Sequence, residues 1–438
     1  MMHLRSSRFV GTVAAGMALT WASCGGAKEQ VRQPNILLIT VDTLRADHLE
    51  PYGYGRPTSP ALAKFAEQSM VFEDAQSSAP WTLPSFASLM TGLPSAAHGC
   101  KTFYSSLAPS YTTLAEELLA GGYDTAAVVS HVFLGRPYGL HQGFVHFDDE
   151  LVLEMTRSDE VISSPSVTAK GLAFLQAKAD AAMDEERPWF LWLHYFDPHA
   201  VYQAHASQTP TFGDQRDLDL YDGEIAFTDS HIGRLLDGLD DLGLGEETVV
   251  VFTADHGEEF GDHGGRDHGH TLYQELLHQP LILRVPGVPA GRYSSMVRSI
   301  DVPATLLDLA MLPPAAESFG KSLRPVLHGG VELDLPPALA ELDRNEYRNQ
   351  IGIITNETKF LIDRRTNTPS LFYRDRDRLE KHNRAKGSPQ DVAALRIELR
   401  DLFDDAIKVA ATHTDRVDQE LGAADLQDLN KTGYSGDE

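Results

Sequence analysis

Asn35-Ile36-Leu37-Leu38-Ile39-Thr40-Val41-Asp42 is the stretch that decides the fold. It is a nearly unbroken apolar run without alternation, which fits a strand buried on both faces of a parallel sheet. Asp42 stands at its carboxyl end. Tyr123–Ser130, Trp189–Leu193 and Thr248–Thr253 repeat the pattern, Leu281–Val285 reads as a further strand, and Val71–Ala75 as a short one. Between them lie helical stretches. Ser59 and Pro60 open one through Ala66, and Thr113 to Ala120 is closed by Gly121 and Gly122. Ser166–Ala182 and Asp301–Leu309 are two more. Asp222–Leu242 is amphipathic, with Ile225, Ile232, Leu235, Leu236 and Leu239 near helical spacing. Strands alternating with helices imply a doubly wound α/β core. Ligands in such sheets sit beyond the carboxyl ends of the strands. Three of the apolar runs end in Asp42, in Asp197/His199 and in Asp255/His256. Their convergence on one sheet edge favours a metal site.

The second informative stretch is Ala79-Pro80-Trp81-Thr82-Leu83-Pro84-Ser85-Phe86-Ala87-Ser88-Leu89-Met90-Thr91-Gly92. Pro84 suits a first helical turn, Ser85–Thr91 a buried helix, and Gly92 its stop. Thr82 then sits just ahead of a helix N-terminus, where backbone N–H groups and the positive dipole end face a tetrahedral oxyanion. Its hydroxyl is either a helix cap or a nucleophile. The carboxylates Asp42 and Asp255 favour the nucleophile.

The chain has 438 residues, 42% of them hydrophobic, and a formal net charge of -26. That length supports a large core with a smaller appended domain, and the charge repels nucleic acid. No internal apolar run is long enough to span a bilayer. Arg5 and Arg8 followed by the apolar Phe9–Trp21 form an export signal. Trp21-Ala22-Ser23-Cys24 resembles a bacterial lipoprotein cleavage box, which implies a lipid-anchored Cys24 at the cell envelope; an ordinary cleaved signal peptide is the alternative. Residues 25–33 then form a tether. Cys100 is the other cysteine, so no structural disulfide is expected. A composition shift over Gly329–Pro337 divides a catalytic domain, 34–335, from a small C-terminal domain, 336–412. The latter is read as short strands at Gln350–Ile354, Phe360–Ile362 and Leu371–Tyr373, a solvated loop at Arg374–Lys386 and a helix at Val392–Ala411. Residues 413–438 form a polar tail.

The motifs in order resemble the sulfatase family of the alkaline phosphatase superfamily. Asn35 to Asp47 is similar to its first strand and metal aspartate. Thr82-Leu83-Pro84-Ser85, with Leu89-Met90-Thr91-Gly92 and His98-Gly99, resembles its nucleophile motif. Asp197-Pro198-His199 resembles its central histidine segment, and Asp255-His256-Gly257-Glu258 its second metal motif. His268-Gly269-His270, Pro280-Leu281-Ile282, Asp301-Val302-Pro303-Ala304-Thr305 and Leu371-Phe372-Tyr373 match later landmarks, together with Asp377 and Asn383. The resemblance implies an alkaline-phosphatase-like fold: a large mixed, mostly parallel sheet flanked by helices, with a small C-terminal α+β domain. The family pattern C-x-P-S-R or S-x-P-S-R matures to formylglycine, but here Thr82 and Phe86 occupy its first and last places. Thr43 stands where sulfatases carry a second aspartate, and His256 where many have Asn. In these respects the chain resembles the phosphoglycerol and phosphoethanolamine transferases of the superfamily, which use a threonine nucleophile.

The metal ligands implied are Asp42, Thr82, Asp255 and His256. One imidazole among oxygens suits Mn²⁺ or Zn²⁺ better than Ca²⁺ or Mg²⁺. Thr82, His199 and His268 are the expected catalytic groups, the histidines binding oxygens, protonating the leaving group or holding a second metal. His194, His263 and His270 stay open between site and scaffold. His131, His141, His146 and His278 read as scaffold, and Asp262 and Asp267 as solvated loop charges. The expected substrate is a small-molecule, lipid or glycan ester, with Phe133–Ser164 and Tyr202–Leu220 shaping its pocket. Three activities compete: phosphate-ester hydrolysis or transfer through Thr82, sulfate-ester hydrolysis without formylglycine, and metal binding by a non-catalytic lipoprotein.

Overall fold

The computed structural model describes residues 32–155, 162–181, 187–329, 331–345, 347–415 and 418. The export signal with Cys24, the tether up to Val31 and the tail beyond 418 lie outside the described residues. The strands of the large sheet are β1 (Asn35–Val41), β2 (Met70–Gln76), β3 (Asp124–Val128), β4 (His146–Asp148), β5 (Trp189–Tyr195) and β6 (Thr248–Ala254). A hairpin, β7 (Glu259–Phe260) and β8 (Arg266–Asp267), stands apart, and β9 (His278–Arg284), β10 (Gly291–Tyr293) and β11 (Val297–Arg298) return to the large sheet. Its order is β10-β2-β9-β6-β1-β5-β3-β4, with β11 also on β2. Only β9 runs against its neighbours, β2 and β6.

The apolar runs form the centre of this sheet. Every residue of β1, β5 and β6 is buried, with one apolar layer on each face. Helix Thr82–Thr91 is buried along its whole length in one layer, while helices Ser164–Ala181 and Asp217–Asp241 contribute to the other. Among the described residues no helix is long and apolar enough to cross a membrane. Cys100 is a buried thiol.

A second sheet, β12 (Ala338–Asp343), β13 (Asn349–Ile354), β14 (Thr358–Asp363) and β15 (Thr368–Tyr373), is an antiparallel meander beside helix Pro389–Ala410. Its first strand was not anticipated, because Ala338–Asp343 is too short and mixed to show period-two alternation. Most of Arg374–Lys386 is exposed, as expected of a solvated loop, but two of its charges are paired. Arg374 Nη2 meets Asp74 Oδ1 of β2 at 2.6 Å, and Glu380 is buried against Lys359 Nζ at 2.9 Å. The first pair ties the meander to the large sheet, and the second holds the loop against β14.

Candidate active site

Four adjacent parallel strands, β6, β1, β5 and β3, deliver their carboxyl ends to one edge. Asp255 and His256 follow β6, Asp42 and Thr43 follow β1, His194 lies in β5 with His199 just beyond, and His131 comes after β3. The turn after β1 is tight. Thr43 has φ 53, a left-handed conformation unusual for a β-branched residue and typical of functional turns. Its N–H donates to Asp255 Oδ1 at 3.2 Å, and its carbonyl accepts from the Tyr221 hydroxyl at 2.7 Å. The strained turn thereby fixes Asp42 beside Asp255.

Thr82 arrives from the other direction. Trp81 is extended and serves as the N-cap, so Thr82 is the first helical residue rather than a residue ahead of the helix. The expected place just ahead of the helix is corrected, and with it the cap alternative falls: Thr82 has helical backbone, and Pro84 lies at the third position, where a missing N–H is still harmless. Gly92 ends the helix in the left-handed region, φ 69. Ser77 Oγ donates to the Asp255 carbonyl at 2.6 Å, and Ser85 Oγ to the Ala79 carbonyl at 2.8 Å, stitching the helix start to the end of β6. Thr82 Oγ1 consequently lies 3.4 Å from His256 Nε2.

Asp42, Asp255 and His256 present ligand atoms that all lie within 4.8 Å of one another. Both Asp42 oxygens and Asp255 Oδ2 are buried without a hydrogen-bond partner. Burial raises the pKa of Asp42, reinforced by Asp255 and Glu258, and burial likewise raises that of Asp255 against the pull of His256. Burial pushes Glu258 up to about 7. His256 Nδ1 donates to the Gly257 carbonyl at 2.8 Å, which leaves the Nε2 lone pair toward the carboxylates, 3.2 Å from Asp255 Oδ2. Two buried carboxylates, an imidazole nitrogen and an alcohol form a donor set that suits a divalent cation. Orientation of the ligating ring by its other nitrogen is the usual second-sphere support.

His199 and His268 lie with ring centroids 5.0 Å apart, and His268 is 4.6 Å from His256. Nδ1 of His199 donates to the Ala200 carbonyl at 2.7 Å, and Nδ1 of His268 to Glu258 Oε1 at 3.0 Å. Both rings are thereby anchored through Nδ1. Burial lowers both pKa values, His199 helped next by His268, and His268 by His256 and then Arg344. His194 belongs to the site, with Nε2 3.3 Å from Asp42 Oδ2.

Sequence reading missed His131. It was placed in the scaffold, yet its Nε2 is 3.9 Å from Asp42 Oδ2 and its ring is 5.4 Å from that of His199. The Phe133 N–H donates to His131 Nδ1 at 3.1 Å, so the neutral ring carries its proton on Nε2 and serves as a donor rather than a ligand. Asp197 leaves the candidate set: its carboxylate accepts from Ser163 N, Ser164 N and Ser164 Oγ, capping helix Ser164–Ala181. His270 bonds Glu259 Oε2 at 2.7 Å and His263 bonds Glu275 Oε1 at 2.6 Å, which makes both loop braces. His278 bonds the Glu73 carbonyl. Asp262 is not merely solvated, since it pairs with Arg45 Nη1 at 2.8 Å. Phe86 is fully buried, 5.4 Å from Trp192 and 5.0 Å from His194 by ring centroids.

The family model described as Sulfatase matches residues 34–312, a span that contains every residue of this site. The chain belongs to the sulfatase family. It is 28% identical to human arylsulfatase A over 354 residues, 68% of each chain. With the choline-sulfatase of Rhizobium meliloti it shares 25% identity over 445 residues, covering 83% of this chain and 85% of the relative. The phosphonate monoester hydrolase of Agrobacterium radiobacter has the same fold, with a TM-score of 0.71 at 19% identity over 89% of this chain and all of the other. A 2-O GAG sulfatase structure superposes equally well, TM-score 0.71 at 19% identity, covering 89% of this sulfatase-family chain and 95% of the other.

Proposed function

We propose that this sulfatase-family hydrolase cleaves phosphate esters through Thr82. The observation that carries the reading is the Thr82 hydroxyl beside His256 at 3.4 Å, together with a buried Phe86 where a formylglycine motif has its arginine. A threonine has no thiol or primary alcohol to mature, so Thr82 acts as a plain alcohol. Asp42, Asp255 and His256 would hold a divalent cation, Mn²⁺ or Zn²⁺ before Ca²⁺ or Mg²⁺, which supplies charge neutralisation at the ester and acidifies the alcohol.

The chain's own residues do the rest. Thr82 opens the helix, so its hydroxyl and the first-turn N–H groups would stand beside the phosphate as it accumulates charge. Thr82 loses its proton to Nε2 of His268, and the Glu258 carboxylate on Nδ1 steadies the imidazolium formed. The Thr82 O–P bond forms as the P–O bond to the alcohol breaks. The departing oxygen, on the opposite side of phosphorus, takes a proton from solvent, while His268 keeps its proton for the Thr82 oxygen in the second step. Water or an acceptor alcohol clears the phosphothreonine and restores the Thr82 hydroxyl.

The phosphonate monoester hydrolase among the structural neighbours supports phosphorus chemistry on this fold. The sulfatase relatives favour sulfate esters as the second reading. Aryl phosphate monoesters, phosphodiesters and sulfates assayed with each cation separate the two. Thr82→Ala should lose on the order of a thousandfold or more in rate, whereas Thr82→Ser keeps part of it. Intact-mass analysis during turnover should find a phosphoryl adduct on the Thr82 peptide, and a fully active Thr82→Ala enzyme overturns the mechanism. We also infer export and lipid anchoring through Cys24; Cys24→Ser should abolish lipid labelling and release the protein from membranes, and unchanged attachment refutes the anchor.

A further inference from the structure

Thr43 stands in a conformation that its own side chain disfavours. Its φ of 53 is left-handed, a region that strains a β-branched residue and suits glycine. Asp42 precedes it, and its N–H donates to Asp255 Oδ1 at 3.2 Å. Relaxation of this turn toward ordinary backbone angles would swing one carboxylate of the metal triad and release the other. A contact from outside the turn has to oppose that.

The contact comes from helix Asp217–Asp241, which packs on the face of the sheet opposite helix Thr82–Thr91. Tyr221 is fully buried there, and its hydroxyl engages two main-chain groups of the turn. It donates to the Thr43 carbonyl at 2.7 Å and accepts from the Arg45 N–H at 3.0 Å. One oxygen thus bridges residues two apart and closes the turn. Neighbouring rings hold the phenol in place: His48 lies 5.3 Å, Phe260 4.9 Å and Tyr202 5.7 Å from its centre. The next residue, Asp222, accepts from His48 Nδ1 at 2.8 Å and from the Tyr54 hydroxyl at 2.7 Å, so the helix also grips the chain that leaves the turn. Tyr221 supplies no atom to the triad and reaches it only through the backbone.

We propose that Tyr221 is a positioning residue that sets the metal affinity of the triad by holding Thr43 in its strained conformation. The proposal rests on the divalent-cation part of the reading above and is independent of the ester that is cleaved. Loss of the hydroxyl lets the turn relax, and a binding cation must then draw Asp42 and Asp255 together against the strain. Strain at one left-handed β-branched residue corresponds to about tenfold in a binding constant.

The test is a cycle of four full-length proteins: wild type, Tyr221→Phe, Thr43→Gly and the double variant. Each is titrated with Mn²⁺ by calorimetry, and far-UV circular dichroism checks the fold. Tyr221→Phe keeps the ring and removes only the oxygen, so Mn²⁺ binding should weaken about tenfold. Glycine adopts a φ of this sign without strain, so with Thr43→Gly in place the same change should weaken binding less than about threefold. Thr43→Asn, which also tolerates left-handed backbone, repeats the cycle independently. A hydroxyl that only supports the fold would lose the same factor in every background, and that result overturns the proposal. Unaltered Mn²⁺ affinity in Tyr221→Phe overturns it too, as does a Tyr221→Phe chain that no longer folds. Absence of Mn²⁺ binding by the wild type overturns the metal reading and the proposal with it, whereas unaltered affinity in Tyr221→Phe leaves the metal reading standing.

Discussion

Lys359 and Glu380 form a fully buried ion pair whose removal should be costly from either side. Lys359 is 0% exposed and Glu380 3%, with Nζ 2.9 Å from Oε1 and 3.1 Å from Oε2. Glu380 Oε2 also accepts from Gln274 N at 3.0 Å, and its carbonyl accepts from His263 Nε2 at 3.2 Å. The pair therefore joins β14 to the loop between β6 and β9, which carries His268. Burial lowers the pKa of Lys359 and raises that of Glu380, and each partner's charge opposes the shift in the other. Lys359→Met leaves a buried carboxylate held only by backbone donors, and Glu380→Gln leaves a buried ammonium. Each single change should cost about 3–5 kcal/mol, the range for breaking one side of a buried pair. The double variant Lys359→Met/Glu380→Gln should cost much less than the sum, because no charge is stranded. Urea unfolding followed by fluorescence measures all four proteins of the cycle. Single variants that lose less than about 1 kcal/mol, the value of an exposed pair, would refute the reasoning.

Asp42→Asn and Asp255→Asn each remove a buried ligand charge without changing shape, so bound metal by elemental analysis should fall, with affinity weakened at least about 100-fold, while far-UV circular dichroism is unchanged. Full occupancy in both variants would place the site elsewhere. Asp229 gives a pH prediction remote from the metal. Burial pushes its carboxyl up to about 7 against hydrogen bonds from Ala61 N and Leu62 N. The folded pKa is above the unfolded value of 3.8, so its stabilising share is complete below pH 3.8 and is lost as pH rises through about 7. Relative to Asp229→Asn, the wild type should lose up to about 1.4 kcal/mol per pH unit between pH 4 and 7. Parallel stability profiles for the two proteins would contradict that.

Much of the architecture was legible because burial on both faces removes alternation from a strand. Asn35–Val41, Trp189–Leu193 and Thr248–Thr253 announce themselves as apolar runs, and they are the central strands β1, β5 and β6. Asp42, Asp255 and His256 were readable for the same reason, since a polar residue directly after such a run falls at the ligand edge of the sheet. The meander was harder. Ala338–Asp343 mixes apolar residues with Glu341, and the charged Arg374–Lys386 segment conceals Glu380, whose partner Lys359 is distant in sequence. Charge along a chain does not reveal whether it is solvated or paired.

Asp197 and His131 show opposite failures with one physical cause. Asp197 follows β5 just as Asp42 follows β1, yet its carboxylate turns away to cap helix Ser164–Ala181. His131 lies past the end of β3, separated from Val128 by Val129 and Ser130, and its own sequence neighbourhood contains no other titratable group. Position after a strand fixes where the backbone goes, while the side chain answers to partners brought by other elements. For Asp197 those are the helix N–H groups; for His131 they are the Phe133 N–H, which sets the tautomer, and Asp42 on a strand two places across the sheet. The tautomer also assigns the role. A ring whose Nδ1 already accepts a hydrogen bond cannot offer Nε2 as a lone pair while neutral, so His131 turns a donor to the Asp42 side whereas His256 turns a lone pair to the candidate metal position. The backbone holds Nδ1 in both rings, but as a donor to His131 and as an acceptor from His256, and that difference separates the candidate metal ligand from its support.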